Sequence, residues 1–320
     1  MADESVDPQL LEQLKKLQAK YNAMGQDLSS YLDGLLYSDY LTYWDYIHVD
    51  TLLSLQTPKT RFPDEKVFIM YHQITELYFK LIRHEIEQIA ERSPIDEQFF
   101  LERIERIIRY FRNLVNSFEI MGDGMEKEQF LKYRMALLPA SGFQSAQYRL
   151  IEMTSTDLVN LVNIEDRASL HGAELPALLD KVYWRSGATE LATGKKTLTL
   201  QQFEEKYRDE FHSTATRYRY TNLRQIYLQN FSKSPRRDEI IRKLREYDQQ
   251  ANVLWRLAHL KSSARYLQRP SEDIQATGGT NWQKYLPPRF QKIMFFPELW
   301  SEEEKAEWGK AGVMAALATS

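Results

Sequence analysis

Two histidines stand apart from the rest. His72 lies in VFIMYHQITELYFKLI (67–82), among Phe68, Met70, Tyr71 and Ile74, with Glu76 one turn on. His259 lies in NVLWRLAHLKSSARYL (252–267), at the edge of an apolar stripe through Leu244, Ala251, Trp255 and Ala258. Ala258, Ser262, Ser263 and Ala264 are small, so a flat molecule could approach that helix closely. A neutral imidazole needs one donor and one acceptor partner, and a core histidine satisfied by its neighbours accounts for either one. The functional alternative is that one binds a metal and the other meets a substrate. The other histidines have plainer settings. His84 is on the polar side of its helix, His171 in a helix-entry loop, His212 at the end of a charged helix, and His48 near a helix start.

Three further stretches hold polar groups that need a purpose. KYRMALLPASGFQSAQYRLIE (132–152) places Arg134 in apolar company. A buried guanidinium must find an anion, either a structural carboxylate or that of a ligand gripped by its planar fork. QATGGTNW (275–282) joins two glycines to the hydroxyls of Thr277 and Thr280; it suits a loop over a small polar ligand and equally a surface turn. YWDYIHVD (43–50) is rich in aromatics that suit a core or an interface.

Several chemistries are excluded. The chain has no cysteine, which removes disulfides, thiolate zinc sites, iron–sulfur clusters and cysteine nucleophiles. It leaves imidazole as the natural protein ligand for a haem iron. SGATELATGKKT (186–197) misses the phosphate-loop spacing, and Lys196 stands where Ser or Thr is required. No HExxH, paired ExxH or GxSxG motif is present. The net charge is −3, with acidic and basic residues mixed; the one basic cluster, KSPRR (233–237), is short. Nucleic acid is a poor partner for such a surface. No apolar run approaches the roughly 20 residues that span a bilayer, and the acidic start MADESVDPQLLEQLKK is unlike a signal peptide. The expectation is a cytoplasmic protein with no membrane contact.

Helical periodicity runs through most of the chain. Helices are expected over 8–24, about 48–55, 65–92 with Asp64 as cap, 96–121, 142–153, 173–184, 200–212, 236–268 and 301–316. KTLTLQQF (196–203) is the best strand candidate. Glu76 is expected to pair in a salt bridge. The fold class is all-α: one large domain of long packed helices over 1–320, with residues 1–45 as an N-terminal segment against a neighbouring subunit.

Six stretches together resemble the tryptophan 2,3-dioxygenase family: YWDYIHVDTLLSLQ (43–56), FIMYHQITELYFKLIRHEIEQI (68–89), YRMALLPASGFQSAQYRLIE (133–152), LWRLAHLKSSARYL (254–267), ATGGTNWQKYL (276–286) and FFPELW (295–300). They occur in the family's order with similar spacing. The resemblance implies a helical, haem b-containing homotetramer that uses dioxygen to cleave the indole C2–C3 bond of L-tryptophan, giving N-formylkynurenine. By matching motifs it implies His259 as the proximal haem ligand and His72 as the distal histidine facing the indole N–H. Phe68 would pack on the indole, Arg134 would bind the substrate carboxylate, and Thr277 would lie beside the amino acid group. Leu137 would line the pocket, Ser141 and Gly142 would border the haem, and Tyr43 and Tyr46 would complete the pocket of a neighbouring subunit.

Four positions depart from the family pattern. Ala258 stands where a positive residue is usual, and Phe130 where tyrosine is frequent. Asn281 and Trp282 follow TGGT in place of small residues. These leave open a related haem enzyme acting on another aromatic amino acid or indole. A haem-binding sensor without turnover is the third alternative, and it has no use for the substrate-binding set.

Overall fold

The longest apolar rows of the sequence become the longest helices. The computed structural model describes residues 7–37, 42–134, 144–186, 195–267 and 288–310. Among the described residues the regular elements are helices, with an isolated bridge pairing Val162 and Val182. The chain divides into two compact units, Met1–Leu55 and Gln56–Ser320.

The first unit holds α1 (Pro8–Ala23), α2 (Leu28–Tyr37) and the short α3 (Tyr43–Tyr46) and α4 (Val49–Ser54). Asp7 caps α1 by accepting from the Gln9 amide at 3.0 Å, and Pro8 is preorganised for the first helical position. No residue of α1 is buried.

The second unit is built on α5 (Pro63–Glu91) and α6 (Glu97–Ser117). On α6, Phe100, Ile104, Ile107, Phe111 and Leu114 recur at three- and four-residue steps and are fully buried, while Glu102, Glu105 and Arg106 face out. Asp96 caps this helix, accepting from the Phe99 amide at 2.8 Å. Asp64 does not cap α5 as its position suggested. It lies inside the first turn and accepts from the Glu126 amide at 2.6 Å. Buried Glu65 accepts from the Lys59 and Thr60 amides at 2.6 and 2.7 Å. Carboxylates at a helix N-terminus are favoured by its dipole, and here they also pin the neighbouring loops.

Beyond α6 come α7 (Glu119–Gly122), α8 (Lys127–Tyr133) and α9 (Ala146–Ser155). A Cβ added to Gly124 would lie 2.5 Å from the Ile120 carbonyl oxygen, so this turn requires glycine. Short turns α10 (Ile164–Arg167), α11 (Leu175–Asp180) and α12 (Tyr183–Ser186) follow. The continuous helix expected over 173–184 is broken, because Val182 leaves it to pair with Val162. The expected strand at 196–203 is also overturned: Thr197 caps α13 (Leu198–Arg217) by accepting from the Leu200 amide at 3.2 Å. The apolar positions Leu200, Phe203, Phe211 and Ala215 then bury at helical spacing. After α14 (Leu223–Ile226), the 236–268 segment forms α15 (Arg237–Gln249), a π-helical turn at Gln250–Leu254, and α16 (Trp255–Leu267). The helix expected over 301–316 is described only as Glu302–Ala306, where Ser301 and Glu304 form a capping box.

Among the described residues, a minor cluster of Met294, Trp300 and Trp308 aside, two apolar clusters result. The larger packs Ile82, Ile86 and Ile89 of α5 with the buried face of α6, with Leu150, Ile151 and Met153 of α9, and with Leu244 and Tyr247 of α15. The smaller joins Tyr71, Phe118, Phe130, Tyr133, Leu257, Leu260 and Tyr266.

Charge is buried between these layers. Glu152 of α9 is fully buried and meets Arg149 Nη1 at 3.0 Å and Arg256 Nη2 of α16 at 3.0 Å. The Tyr183 hydroxyl donates to Glu152 at 2.5 Å and accepts from both guanidiniums at 2.8 Å. Burial disfavours the Arg149 cation, but Glu152 and Tyr183 more than offset this and its pKa is raised. Asp248 of α15 is buried too and accepts from Asn252 at 2.8 Å, the Phe295 and Phe296 amides at 2.9 and 3.3 Å, and Trp300 Nε1 at 3.0 Å. Burial pushes its carboxyl up to about 6, against the pull of those four donors. Removing one partner of a buried ion group leaves uncompensated charge, so Glu152→Gln should lower unfolding stability by about 3–5 kcal/mol. Urea unfolding followed by circular dichroism measures this; a loss within error of zero would refute a structural role for the cluster.

Candidate active site

The site is assembled on the smaller cluster. α5 supplies Phe68, Tyr71 and His72; the chain between α6 and α7 supplies Phe118; α8 supplies Phe130, Tyr133 and, at its C-cap, Arg134; α16 supplies His259. Their register follows from helix periodicity. On α5, Tyr71 and Thr75 are buried one turn apart, so His72 falls beside the buried face with Phe68 one turn before it.

The two imidazoles share an environment. His72 is open to solvent by area and His259 partly so, yet surrounding protein desolvates both. Groups that solvent can touch but protein surrounds are in the wall of a recess. Burial lowers the His72 pKa, opposed by its bond to Phe68 and by the Glu76 charge. Burial, followed by the charge of nearby His72, takes His259 down to about 4, so the two rings are close enough to repel as cations. Both are neutral at physiological pH.

Neutrality and hydrogen bonding define the His72 tautomer. Its Nδ1 lies 2.8 Å from the Phe68 carbonyl, which can only accept, so Nδ1 carries the proton. Nε2 is left with a lone pair to accept a hydrogen bond. The Phe68 ring stacks on His72 with centroids 4.0 Å apart and 34° between planes. Tyr71 meets His72 edge-on at 6.1 Å, and Phe118 links Tyr71 at 5.7 Å to His259 at 5.8 Å. Among the described residues the His259 ring makes no hydrogen bond.

The remaining wall is aromatic. Phe130 lies 6.3 Å from Phe68 and 4.9 Å from Tyr266. Tyr133 lies 6.1 Å from Phe68 and is buried; burial, followed by the charge of Asp64, raises its hydroxyl pKa. Arg134 is half-buried and forms the C-cap of α8, directly after Tyr133. Ala258 is half-buried beside His259, and Ser262 is buried.

The described residues do not include every expected site residue. Leu137, Ser141, Gly142, Thr277, Asn281 and Trp282 lie outside the described residues. Tyr43 and Tyr46 are in the first unit, 73% and 71% exposed. Glu76 does not form the expected salt bridge; Gln147 of α9 donates to its side chain at 3.0 Å and to its backbone carbonyl at 2.8 Å. The residues missed from sequence are the buried polar ones, Arg149, Glu152, Asp248, Asn252 and Arg256. A signal existed for the last three, which recur every four residues along one helical segment.

Known proteins point the same way. Residues 33–159 match the family model described as tryptophan 2,3-dioxygenase. The tryptophan 2,3-dioxygenase of Herpetosiphon aurantiacus is 31% identical over 276 residues, 82% of this chain and 98% of that protein. That of Ruegeria pomeroyi is 30% identical, covering 82% and 92%, and that of Bacillus thuringiensis subsp. konkukian 29%, covering 84% and 94%. With shared identity extending along nearly the whole length of these relatives, and the aromatic recess built from the stretches that carry it, the chain belongs to the tryptophan 2,3-dioxygenase family.

Proposed function

We propose that this oxidoreductase cleaves the indole C2–C3 bond of L-tryptophan with dioxygen, giving N-formylkynurenine, and that it does so with haem b. The observation that supports this best is the pair of neutral imidazoles on one aromatic recess. Each is suited to a different task.

His259 fits a haem ligand. Its ring is desolvated, unprotonated at neutral pH and without a hydrogen bond among the described residues. Such a lone pair is available to a metal. Ala258 and Ser262 keep that side of α16 slim enough for a flat macrocycle. When bound, ferrous haem supplies dioxygen activation at an open metal position.

The other residues bind, orient and exclude water. Nε2 of His72 accepts the indole N–H, which sets the rotation of the ring system. The indole N–H is too weak an acid for His72 to be an obligatory base. Phe68 packs against the indole face and is itself held by stacking on His72. Arg134 takes the substrate carboxylate in a bidentate grip, and Thr277 is assigned to the amino acid group. Leu137 is assigned to the pocket lining, and Ser141 and Gly142 to the segment beside the haem on the distal side. Tyr43 and Tyr46 are assigned to the pocket of a neighbouring copy, in a homotetramer.

Self-association has support on α5. Met70, Ile74, Leu77 and Leu81 recur at four- and three-residue steps and are all exposed, a row that water disfavours. Among the described residues no helix is long and apolar enough to cross a membrane. A cysteine-free chain fits a reducing compartment, and the cytoplasm is the proposed location.

Three outcomes are expected. L-tryptophan added anaerobically to the ferrous protein should shift the Soret band, and oxygen should then yield formylkynurenine absorbance; a spectrum indifferent to tryptophan would sink the assignment. Arg134→Ala should retain haem and lose at least about tenfold in tryptophan affinity, the worth of one charge-assisted contact. Unchanged affinity would remove Arg134 from the carboxylate site. Ile74→Asp with Leu77→Asp should lower the assembly mass measured by light scattering, and a wild-type mass would exclude this face from the interface.

A further inference from the structure

A line of buried polar side chains runs toward His259 and is not used by the chemistry above. Asp248 accepts from Asn252 Nδ2 at 2.8 Å, Asn252 Oδ1 accepts from Arg256 Nη2 at 3.1 Å, and Arg256 Nη2 donates to Glu152 at 3.0 Å. All four residues are buried. His259 follows Arg256 by three positions on α16.

The line passes through the π-helical turn at Gln250–Leu254. In an unbroken α-helix, positions four apart drift by about 40° a step, so Asp248 and Arg256 would be about 80° out of line. A π-turn accommodates one extra residue, which takes back about 100°. Asp248, Asn252 and Arg256 therefore share one face, and everything after the turn is rotated with them. Such a turn needs outside support, because its backbone pairing is irregular. The buried Tyr148 hydroxyl of α9 supplies it, donating to the Ala251 carbonyl at 3.0 Å.

We infer that Arg256, Asn252, Asp248 and Glu152 are positioning residues for His259: with the π-turn they set the rotation of α16, and hence the direction in which the imidazole presents its lone pair to the recess. This rests on the reading of His259 as haem ligand. Arg256 is the central member, since it alone joins α16 to both the line and the α9 ion cluster. The expected consequence is a well-folded protein whose histidine–iron bond is altered when the line is cut.

The test uses the full chain loaded with haem, compared by resonance Raman in the ferrous state and by the rate of haem transfer to an acceptor protein. Arg256→Met should shift the iron–histidine stretching band and speed haem loss by about 10–100-fold, the usual effect of losing a group that orients a metal ligand. Arg256→Lys should restore part of both. Asn252→Ala, which leaves the ion cluster whole, should shift the same band, and serves where Arg256→Met fails to fold. Ile104→Val in the α6 core is the control for lost stability and should leave the band in place. Wild-type band and haem retention in Asn252→Ala, and in Arg256→Met if folded, would overturn the inference while leaving the ligand reading intact. A ferrous spectrum unaltered by His259→Ala would overturn the ligand reading and this inference with it.

Discussion

The contact between Glu152 and its two arginines decides where the site's parts can be. α9 has almost no solvent face: Ala146 and every residue from Tyr148 to Ser155 are buried. A helix so enclosed can keep Arg149 and Glu152 only if each charge is matched inside the protein, since an unpaired buried ion costs several kcal/mol. Arg256 provides the match from α16, and Tyr183 bridges all three. Matching charge ties α9 to the first turn of α16 through Glu152 and Arg256. That tie carries His259 to the recess.

The recess itself obeys a different rule. Its walls are aromatic, so they bind flat apolar molecules and strengthen any hydrogen bond made there by lowering the local dielectric. Few polar atoms are offered. One is the acceptor on His72, whose tautomer is defined by a backbone carbonyl. The same walls desolvate both imidazoles and keep them neutral, which is the state in which one ring can bind metal and the other can accept a hydrogen bond. Site chemistry and site packing thus have one cause.

Side-chain chemistry near α5 shows how far local pattern reaches. The buried rows of α5 and α6 were legible because apolar residues repeat at helical spacing and burial follows. The Thr197 cap resembles part of a strand because TLTL alternates over only four residues, too short to distinguish two periods. Spacing along α5 suggests a salt bridge for Glu76, within the helix or with a neighbour. Glu76 is held instead by Gln147, a residue far away in sequence, and no local pattern announces such a partner.

The sequence alone determined the helical class and singled out His72 and His259 by the apolar residues around them, because these depend on spacing and side-chain type. The tertiary structure alone decided that His72 and His259 lie on one aromatic cluster, that the Nδ1 proton of His72 is tied to a backbone carbonyl, and that a π-turn leads into α16. Each of those depends on contacts between segments far apart in the chain. Spacing along one helix defines a face, but only the partner packed against it determines where that face points.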